Sequence, residues 1–318
     1  MQKLLVLGGT GFVGSALCEQ LVEHFGGATG RLVVPSRRPQ RAKHLLPLPT
    51  IELTEADVHD DAQLSRLVER SDAVINLVAI LHGSPDDFER VHVGLPRRLA
   101  RTCVQAGVRR VIHVSALGAS VSGPSHYLRS KAAGEAALAD PSLDVTRLRP
   151  SVIFGAGDRF LNLFAKLQGV LPVLPLAGAD ARFQPVWVED VAAAIVRCLD
   201  DDATIGQAYE CTGPTVYTLR DLVRLAGRWS GHERPILALP DGLARLQAGL
   251  MSLAPGEPLM SRDNLDSMSV PNVASGALPG LAELGITPAS LEAIAPSYLS
   301  PGRGTARLDE MRATARRD

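Results

Sequence analysis

Short apolar runs alternate along the first half of the chain with stretches in which apolar residues recur every three or four positions. The runs are Lys3–Leu7, Arg31–Pro35, Ile51–Leu53, Ala73–Ala79, Arg110–Val114 and Val145–Leu148, and each is predicted to be a strand. Between them, Phe12–Phe25, Pro39–Leu46, Asp61–Arg70, Asp86–Ala106 and His126–Ala139 carry the helical repeat. Strands that alternate with helices imply a parallel sheet with helices on both faces. Ala73–Ala79 and Arg110–Val114 are apolar at nearly every position, as strands buried on both sides require.

After Pro150 the regularity weakens, and Gly and Pro thicken between Gly169 and Pro185. Helices are expected from about Glu189 to Leu199 and over Leu219–Trp229. Asp241–Leu253 is apolar on much of its circumference, with Leu243, Leu246, Leu250 and Met251 on one side. Such a stripe is more often core than a partner-binding or membrane-facing surface. Pro255–Pro301 reads as loops with one short helix near Ser290, and the tail from Gly302, with five Arg against three acids, as frayed. The expected division is a dinucleotide-binding domain over residues 1–150, an interleaved C-terminal α/β lobe over 151–300, and a flexible tail over 301–318.

Composition narrows the function. With 318 residues, 46% hydrophobic and 21% charged, the chain is an ordinary globular protein rather than a disordered one. Its 33 basic and 34 acidic side chains leave a net charge of -1, against a nucleic-acid coat, and aromatics at 4% argue against a stacking platform. Cys18, Cys103, Cys198 and Cys211 stand far apart without zinc-ligand spacing, so no metal is expected and the thiols read as buried small hydrophobes in a reducing compartment. No run approaches the ~18 apolar residues of a membrane span. Leu4–Leu7 is too short for a signal peptide, so a cytoplasmic protein is expected.

The strongest local signal follows the first strand, in Leu7-Gly8-Gly9-Thr10-Gly11-Phe12-Val13-Gly14. Closely spaced glycines between a strand and a helix let backbone amides approach a pyrophosphate at the positive helix end. Gly8, Thr10, Gly11, Phe12, Val13 and Gly14 are therefore cofactor candidates; the alternative is a tight turn with no ligand. An NAD-type site usually carries an acid ~20 residues beyond the glycines. No acid occurs between Glu23 and Glu52, and Ser36, Arg37 and Arg38 stand at the expected place. Guanidinium groups attract a 2′-phosphate that a carboxylate would repel, so NADP(H) is expected ahead of NAD(H). The alternative for the Arg pair is a solvated helix start. Asp57 and Val58 follow the third strand, where Asp57 would accept from the adenine amino group. Asn76-Leu77-Val78-Ala79 closes the fourth, near the cofactor ribose.

On these residues the chain resembles the extended branch of the short-chain dehydrogenases/reductases, which are NAD-dependent epimerase/dehydratase-like. The resemblance rests on Gly8–Gly14, Asp57, Ser115, Tyr127-Leu128-Arg129-Ser130-Lys131, Arg149–Gly155 and Phe183–Ala192, and covers roughly residues 1 to 212. Ser36–Pro39, Glu55–Asp60, Ile75–Leu81, His113–Ala119, Tyr127–Glu135 and Met260–Ser275 are similar to an atypical group. That group contains the nucleotide-binding accessory subunit of respiratory complex I and its bacterial relatives. The resemblance implies a Rossmann sheet with a C-terminal lobe and bound NADP(H) held for structure or assembly. It also implies a respiratory or membrane-associated protein partner at the inner face of a membrane.

Tyr127 and Lys131, four residues apart, share one helix face. An ammonium beside a phenol lowers its pKa, so that the tyrosine can exchange a proton while a nicotinamide exchanges hydride. The alternative is a surface helix pair. By resemblance, Lys131 would also bond the nicotinamide ribose, while Arg149, Pro150 and Asp190 would shape the cofactor end and the lobe. The family's serine lies a residue or two past the fifth strand. Here Ser115 stands at the strand end and Leu117 near that place, and the short spacing to Tyr127 leaves little loop for a nucleotide-sugar pocket. The eight histidines are expected to form no cluster, and His126 to face solvent. The reading is a nucleotide holder; the alternative is an active oxidoreductase or epimerase using Tyr127, Lys131 and Ser115.

Overall fold

The computed structural model describes residues 3–26, 30–251 and 260–301. The expected tail from Gly302 and the end of the Asp241–Leu253 helix lie outside them. The chain runs β1 (Lys3–Leu7), α1 (Phe12–His24), β2 (Arg31–Ser36), β3 (Ile51–Glu55), α2 (Asp61–Val68), β4 (Ala73–Asn76), α3 (Pro85–Phe88), α4 (Leu95–Ala106), β5 (Arg110–Val114), α5 (His126–Ala137) and β6 (Asp144–Pro150). It continues through β7 (Ile153–Phe154), α6 (Leu161–Val170), β8 (Leu174–Leu176), β9 (Arg182–Phe183) and β10 (Val186–Trp187). Then come α7 (Val188–Asp200), β11 (Ala208–Cys211), β12 (Tyr217–Thr218), α8 (Leu219–Trp229), β13 (Ile236–Ala238), α9 (Asp241–Met251), α10 (Arg262–Ser267), α11 (Leu291–Ile294) and α12 (Pro296–Leu299).

Seven strands form one parallel sheet in the order β11-β6-β5-β4-β1-β2-β3. The order reverses on either side of β1, and in open α/β sheets such a switch point is where ligands bind, beyond the carboxyl ends of the strands. Leu4, Leu5, Val6 and Leu7 are all completely buried, as a central strand covered on both faces must be. Leu5 and Leu7 pack with Leu64 and Val68 of α2 and with Leu95, Leu99 and Cys103 of α4. Helix α1 buries Leu17, Cys18, Leu21 and Val22 on one stripe and packs against α7, which buries Val188, Val191, Ala192, Ile195 and Cys198. All four cysteines are free and buried.

The chain divides into two compact units. One comprises Met1–Pro150, Val188–Cys211 and Ser275–Ile286; the other Ser151–Trp187, Thr212–Ala274 and the residues from Thr287 on. The first holds the seven-stranded sheet. The second has its own core of Phe154, Phe164, Leu174, Leu222, Val223, Leu291 and Tyr298. There α8 starts at a capping box in which the Thr218 hydroxyl and the Asp221 carboxylate satisfy each other's backbone amides.

Four expectations are corrected. Pro39–Leu46 is not one helix but two 3₁₀ turns, Pro39–Arg41 and Lys43–Leu45. It buries only Ala42 and Leu45, three residues apart, which is the 3₁₀ repeat. The fourth strand ends at Asn76, not Ala79, because the Asn76 side chain accepts the Val78 amide and turns the chain. Asp86–Ala106 is interrupted by a π-helical turn, Glu89–Gly94. Pro96 has no amide to give the His92 carbonyl, so the regular α ladder cannot close there. Pro255–Pro301 holds more than one short helix, α10, α11 and α12 among its described residues.

Candidate functional site

At the carboxyl end of β1 the chain turns through Gly8, whose φ of +83° is open to glycine and strained for other residues. A Cβ there would also press the Leu77 and Val78 backbone, at 3.1 and 3.2 Å, so the loop after β4 leans on this glycine. The Gly11 amide donates to the Gly8 carbonyl at 3.0 Å. A Cβ on Gly14 would stand 2.4 Å from that same oxygen, so α1 meets the loop this closely only without a side chain. Helix α1 starts behind Gly11 with no side-chain cap and no acid in its first turn. Its leading amides and positive dipole end are therefore left to an outside anion. Thr10, Phe12 and Val13 are half-buried around this cradle.

At the end of β2, Ser36 is half-buried and Arg37 and Arg38 are exposed. The Arg38 amide donates to the Ser36 hydroxyl, and the Ala56 amide to the Ser36 carbonyl, which draws the end of β3 alongside. Asp57 accepts the His59 amide at 2.9 Å, and its own amide donates to Gln63. The His59 ring is held below its ordinary pKa by burial first, with Asp57 opposing and the charges of Arg98, Arg90 and Arg37 adding to the effect. Arg37 thus acts on the same ground as Asp57. Sequence reasoning missed His44. Its Nε2 lies 2.9 Å from the Ser15 hydroxyl, which itself donates to the Gly11 carbonyl. That bond ties the basic stretch Arg41-Ala42-Lys43-His44 to the first turn of α1. The side chains of Val58 and Val78 pack on the core rather than standing free, whereas Ala79 is exposed.

Helix α5 carries the Tyr127–Lys131 pair behind the Ser125 cap. Lys131 is 2% exposed, and its ammonium donates to the Val114 carbonyl at the end of β5, 2.9 Å away. Burial pushes it down to about 8, with the Glu135 carboxylate one turn on opposing. Glu135 in turn accepts from Nε and Nη2 of the Arg149 guanidinium, at 2.9 and 2.6 Å. The expected lowering of the tyrosine is not what this geometry produces. Burial alone pushes the Tyr127 phenol up to about 12. Tyr127 lies edge-on to the rings of Phe88 and His92.

Strand β5 ends at Val114 as expected, so Ser115 is the first residue beyond it. Its amide still bonds the Leu148 carbonyl of β6, and Leu117 bonds the carbonyl of buried Pro150. Among the described residues nothing pairs with the buried Ser115 hydroxyl. Two residues earlier on the same strand face, His113 Nδ1 faces Asn76 Nδ2 at 3.2 Å, while the Asn76 carbonyl oxygen accepts Val78. The amide nitrogen must donate, so the His113 proton sits on Nε2, which is buried and likewise unpaired. Burial first, then Lys131, His92 and Arg147, holds His113 well below its ordinary value. The Lys131 charge acts on both His92 and His113. His113 lies on β5 beside Asn76 of β4 and His92 on the π turn, so spacing alone carries no signal of their being near. Two unpaired buried polar atoms, together with a cradle that side chains would fill, fit a polar ligand of dinucleotide type over the ends of β1, β4 and β5.

The model of the NAD dependent epimerase/dehydratase family matches residues 4–211. Among curated proteins, the chain is 34% identical over 293 residues to "NADH dehydrogenase [ubiquinone] 1 alpha subcomplex subunit 9, mitochondrial" of Mus musculus, covering 90% of this chain and 77% of that one. It is 29% identical over 308 residues to "NADH-ubiquinone oxidoreductase 40 kDa subunit, mitochondrial" of Neurospora crassa, covering 96% and 80%. Among solved structures, dTDP-glucose 4,6-dehydratase from Streptomyces venezuelae, with NAD and TYD bound, superposes with a TM-score of 0.65 at 24% identity, covering 76% of this chain and 86% of that one. UDP-glucuronic acid 4-epimerase from Bacillus cereus gives 0.65 at 18%, covering 86% and 95%. The likeness to these two is one of fold.

Proposed function

The chain belongs to the NAD dependent epimerase/dehydratase family, and from that premise we propose that it holds NADP(H) in a structural or assembly role beside a respiratory-complex partner. The observation that carries the reading is the bare glycine cradle at the switch point with Arg37 and Arg38, rather than an acid, at the end of β2. The amides around Gly8, Thr10, Gly11, Phe12, Val13 and Gly14 would take the pyrophosphate. Ser36, Arg37 and Arg38 would take the 2′-phosphate, where a carboxylate would favour NAD(H). Asp57 and Val58 would meet the adenine, Val78 and Ala79 the ribose, and Lys131, Ser115, Tyr127 and Pro150 the nicotinamide end. Bound there, the nicotinamide would supply hydride chemistry.

A holding role is supported by the Lys131 ammonium donating to the Val114 carbonyl and by burial holding the Tyr127 phenol at a high pKa. One observation favours the second reading, an active oxidoreductase or epimerase. The unpaired Ser115 hydroxyl stands where a substrate carbonyl would need a donor, and a protonated Tyr127 would serve as acid. The partner is inferred from the printed names of the relatives, which are subunits of an NADH dehydrogenase or NADH-ubiquinone oxidoreductase. Leu243 and Leu246 of α9, 54% and 58% exposed, are the residues we assign to such a partner. No helix among the described residues is long and apolar enough to cross a membrane; the peripheral position at the inner face of a membrane is part of our proposal. A cytoplasmic location is proposed from the sequence alone, whereas the relatives' printed names read mitochondrial.

The reading is tested on protein purified without added coenzyme. Nucleotide released by denaturation should be NADP(H), and the loaded protein should turn over none of a panel of carbonyl substrates. Steady turnover that Tyr127→Phe abolishes would replace the holding role with the catalytic one.

A further inference from the structure

The histidine on the π-helical turn makes two bonds that fix its chemistry. His92 Nε2 lies 3.0 Å from the Ile80 amide, which can only donate. Nε2 is therefore unprotonated, and a neutral ring then carries its proton on Nδ1. Nδ1 lies 2.8 Å from the Ser130 hydroxyl. That hydroxyl has spent its one hydrogen on the Tyr127 carbonyl, 2.8 Å away, so it accepts from the ring. The direction of every bond in the chain Ile80, His92, Ser130, Tyr127 is thereby determined. One end is the loop that leaves β4 and leans on Gly8; the other is the first turn of α5, which bears Tyr127 and Lys131.

The surroundings are built for this link. His92 is 2% exposed, and a Cβ on Gly134 would stand 2.1 Å from its carbonyl oxygen, so α5 is pressed onto the π turn itself. π turns of this kind are frequent at functional sites. We infer that His92 is a positioning residue, a neutral latch that pins the loop after β4 to α5 and so sets the spacing of the two walls of the nicotinamide end. The inference rests on the dinucleotide reading above. The ring stays uncharged because burial, and then the Lys131 charge, holds it down to about 3. His113, by contrast, carries its proton on Nε2, so the two buried rings are opposite tautomers.

Ring ¹⁵N NMR of the whole chain tests the geometry without coenzyme. His92 should show a protonated Nδ1 and a bare Nε2, unchanged from pH 8 to pH 5, and His113 the reverse. Release of bound NADPH and NADH is then followed for wild type, His92→Phe, His92→Gln and Ser130→Ala. His92→Phe keeps a ring beside Phe88 and Tyr127 but loses both bonds, and should speed release of both coenzymes by the same factor, on the order of tenfold. His92→Gln, which offers one acceptor and one donor, should restore most of the loss. Ser130→Ala, the milder change if His92→Phe does not fold, should show part of it and raise hydrogen exchange at the Ile80 amide. A protonated Nε2, or unchanged release from both variants while wild type binds coenzyme, overturns the inference and leaves the dinucleotide reading standing. Wild type that binds neither coenzyme, with the His92 tautomer as expected, overturns the dinucleotide reading and this role with it.

Discussion

The residues around Lys131 show how burial, rather than pairing, sets the chemistry of this site. Lys131, His92, His113 and Tyr127 are all shifted toward their neutral forms, and burial is the largest cause in each. His92 gives this a measurable consequence. The unfolded chain takes up a proton on that ring near the ordinary value of 6.5, and the folded chain only near 3. Between those limits the folded state binds fewer protons, so stability falls as the pH drops through the window, and the loss is complete only below it. Lys131, facing the ring, adds to the cost of charging it. Urea unfolding of wild type and His92→Gln between pH 6.5 and 4 should give a steeper decline for wild type. The carboxylates and His113 act in both, so equal slopes would mean that His92 is not held neutral. Of this cluster, only Tyr127, Lys131 and Ser115 were legible in the sequence, because motif spacing marks them. Asn76 was marked only as the start of the segment near the ribose, and His92 and His113 had no mark, since the sheet and the π turn bring them together.

At the scale of elements, what was legible followed from burial on both faces and from capping. The first and fifth strands have the predicted limits because every position after the first residue is buried. Helix α8 has its predicted limits because Thr218 and Asp221 cap it. Misreadings arose where a tertiary contact overrides the local repeat: the Asn76 side chain cuts short a strand, and Pro96 with Gly134 breaks a helix. One close element contact of the proposed site is α1 on the glycine turn. In Gly14→Ala the new methyl would meet the backbone of Gly8 and Gly9 at 2.4 and 2.5 Å, and neither can yield as a flexible side chain would. Overpacking of this kind costs about 1–3 kcal/mol. The variant should lower the urea midpoint accordingly and weaken coenzyme, whereas Gly169→Ala, with nothing within 4 Å, should leave coenzyme binding unchanged. Full coenzyme affinity in Gly14→Ala would contradict the cradle.

For the molecule as a whole, the parallel order β11-β6-β5-β4-β1-β2-β3 explains why candidate residues far apart in the chain stand at one end of the strands. The carboxyl ends of β1, β2, β4 and β5 lie on one edge of a single rigid sheet, so residues from Gly8 to Ser115 converge there without a pocket being built for each. The alternating pattern made the sheet predictable, but not its edge. Strand β11 joins β6 only after the chain has passed through the second unit, and nothing local to Ala208–Cys211 announces that partner. The central claim is that this edge grips a dinucleotide bearing a 2′-phosphate. Calorimetric titration of nucleotide-stripped protein tests it most directly. NADPH should bind more tightly than NADH. Arg37→Ala should weaken NADPH by ~10- to 100-fold, the worth of a hydrogen bond to a charged group, and leave NADH nearly unchanged. Equal losses for the two coenzymes would refute the assignment of the Arg37 side chain, and no heat from either would refute the site.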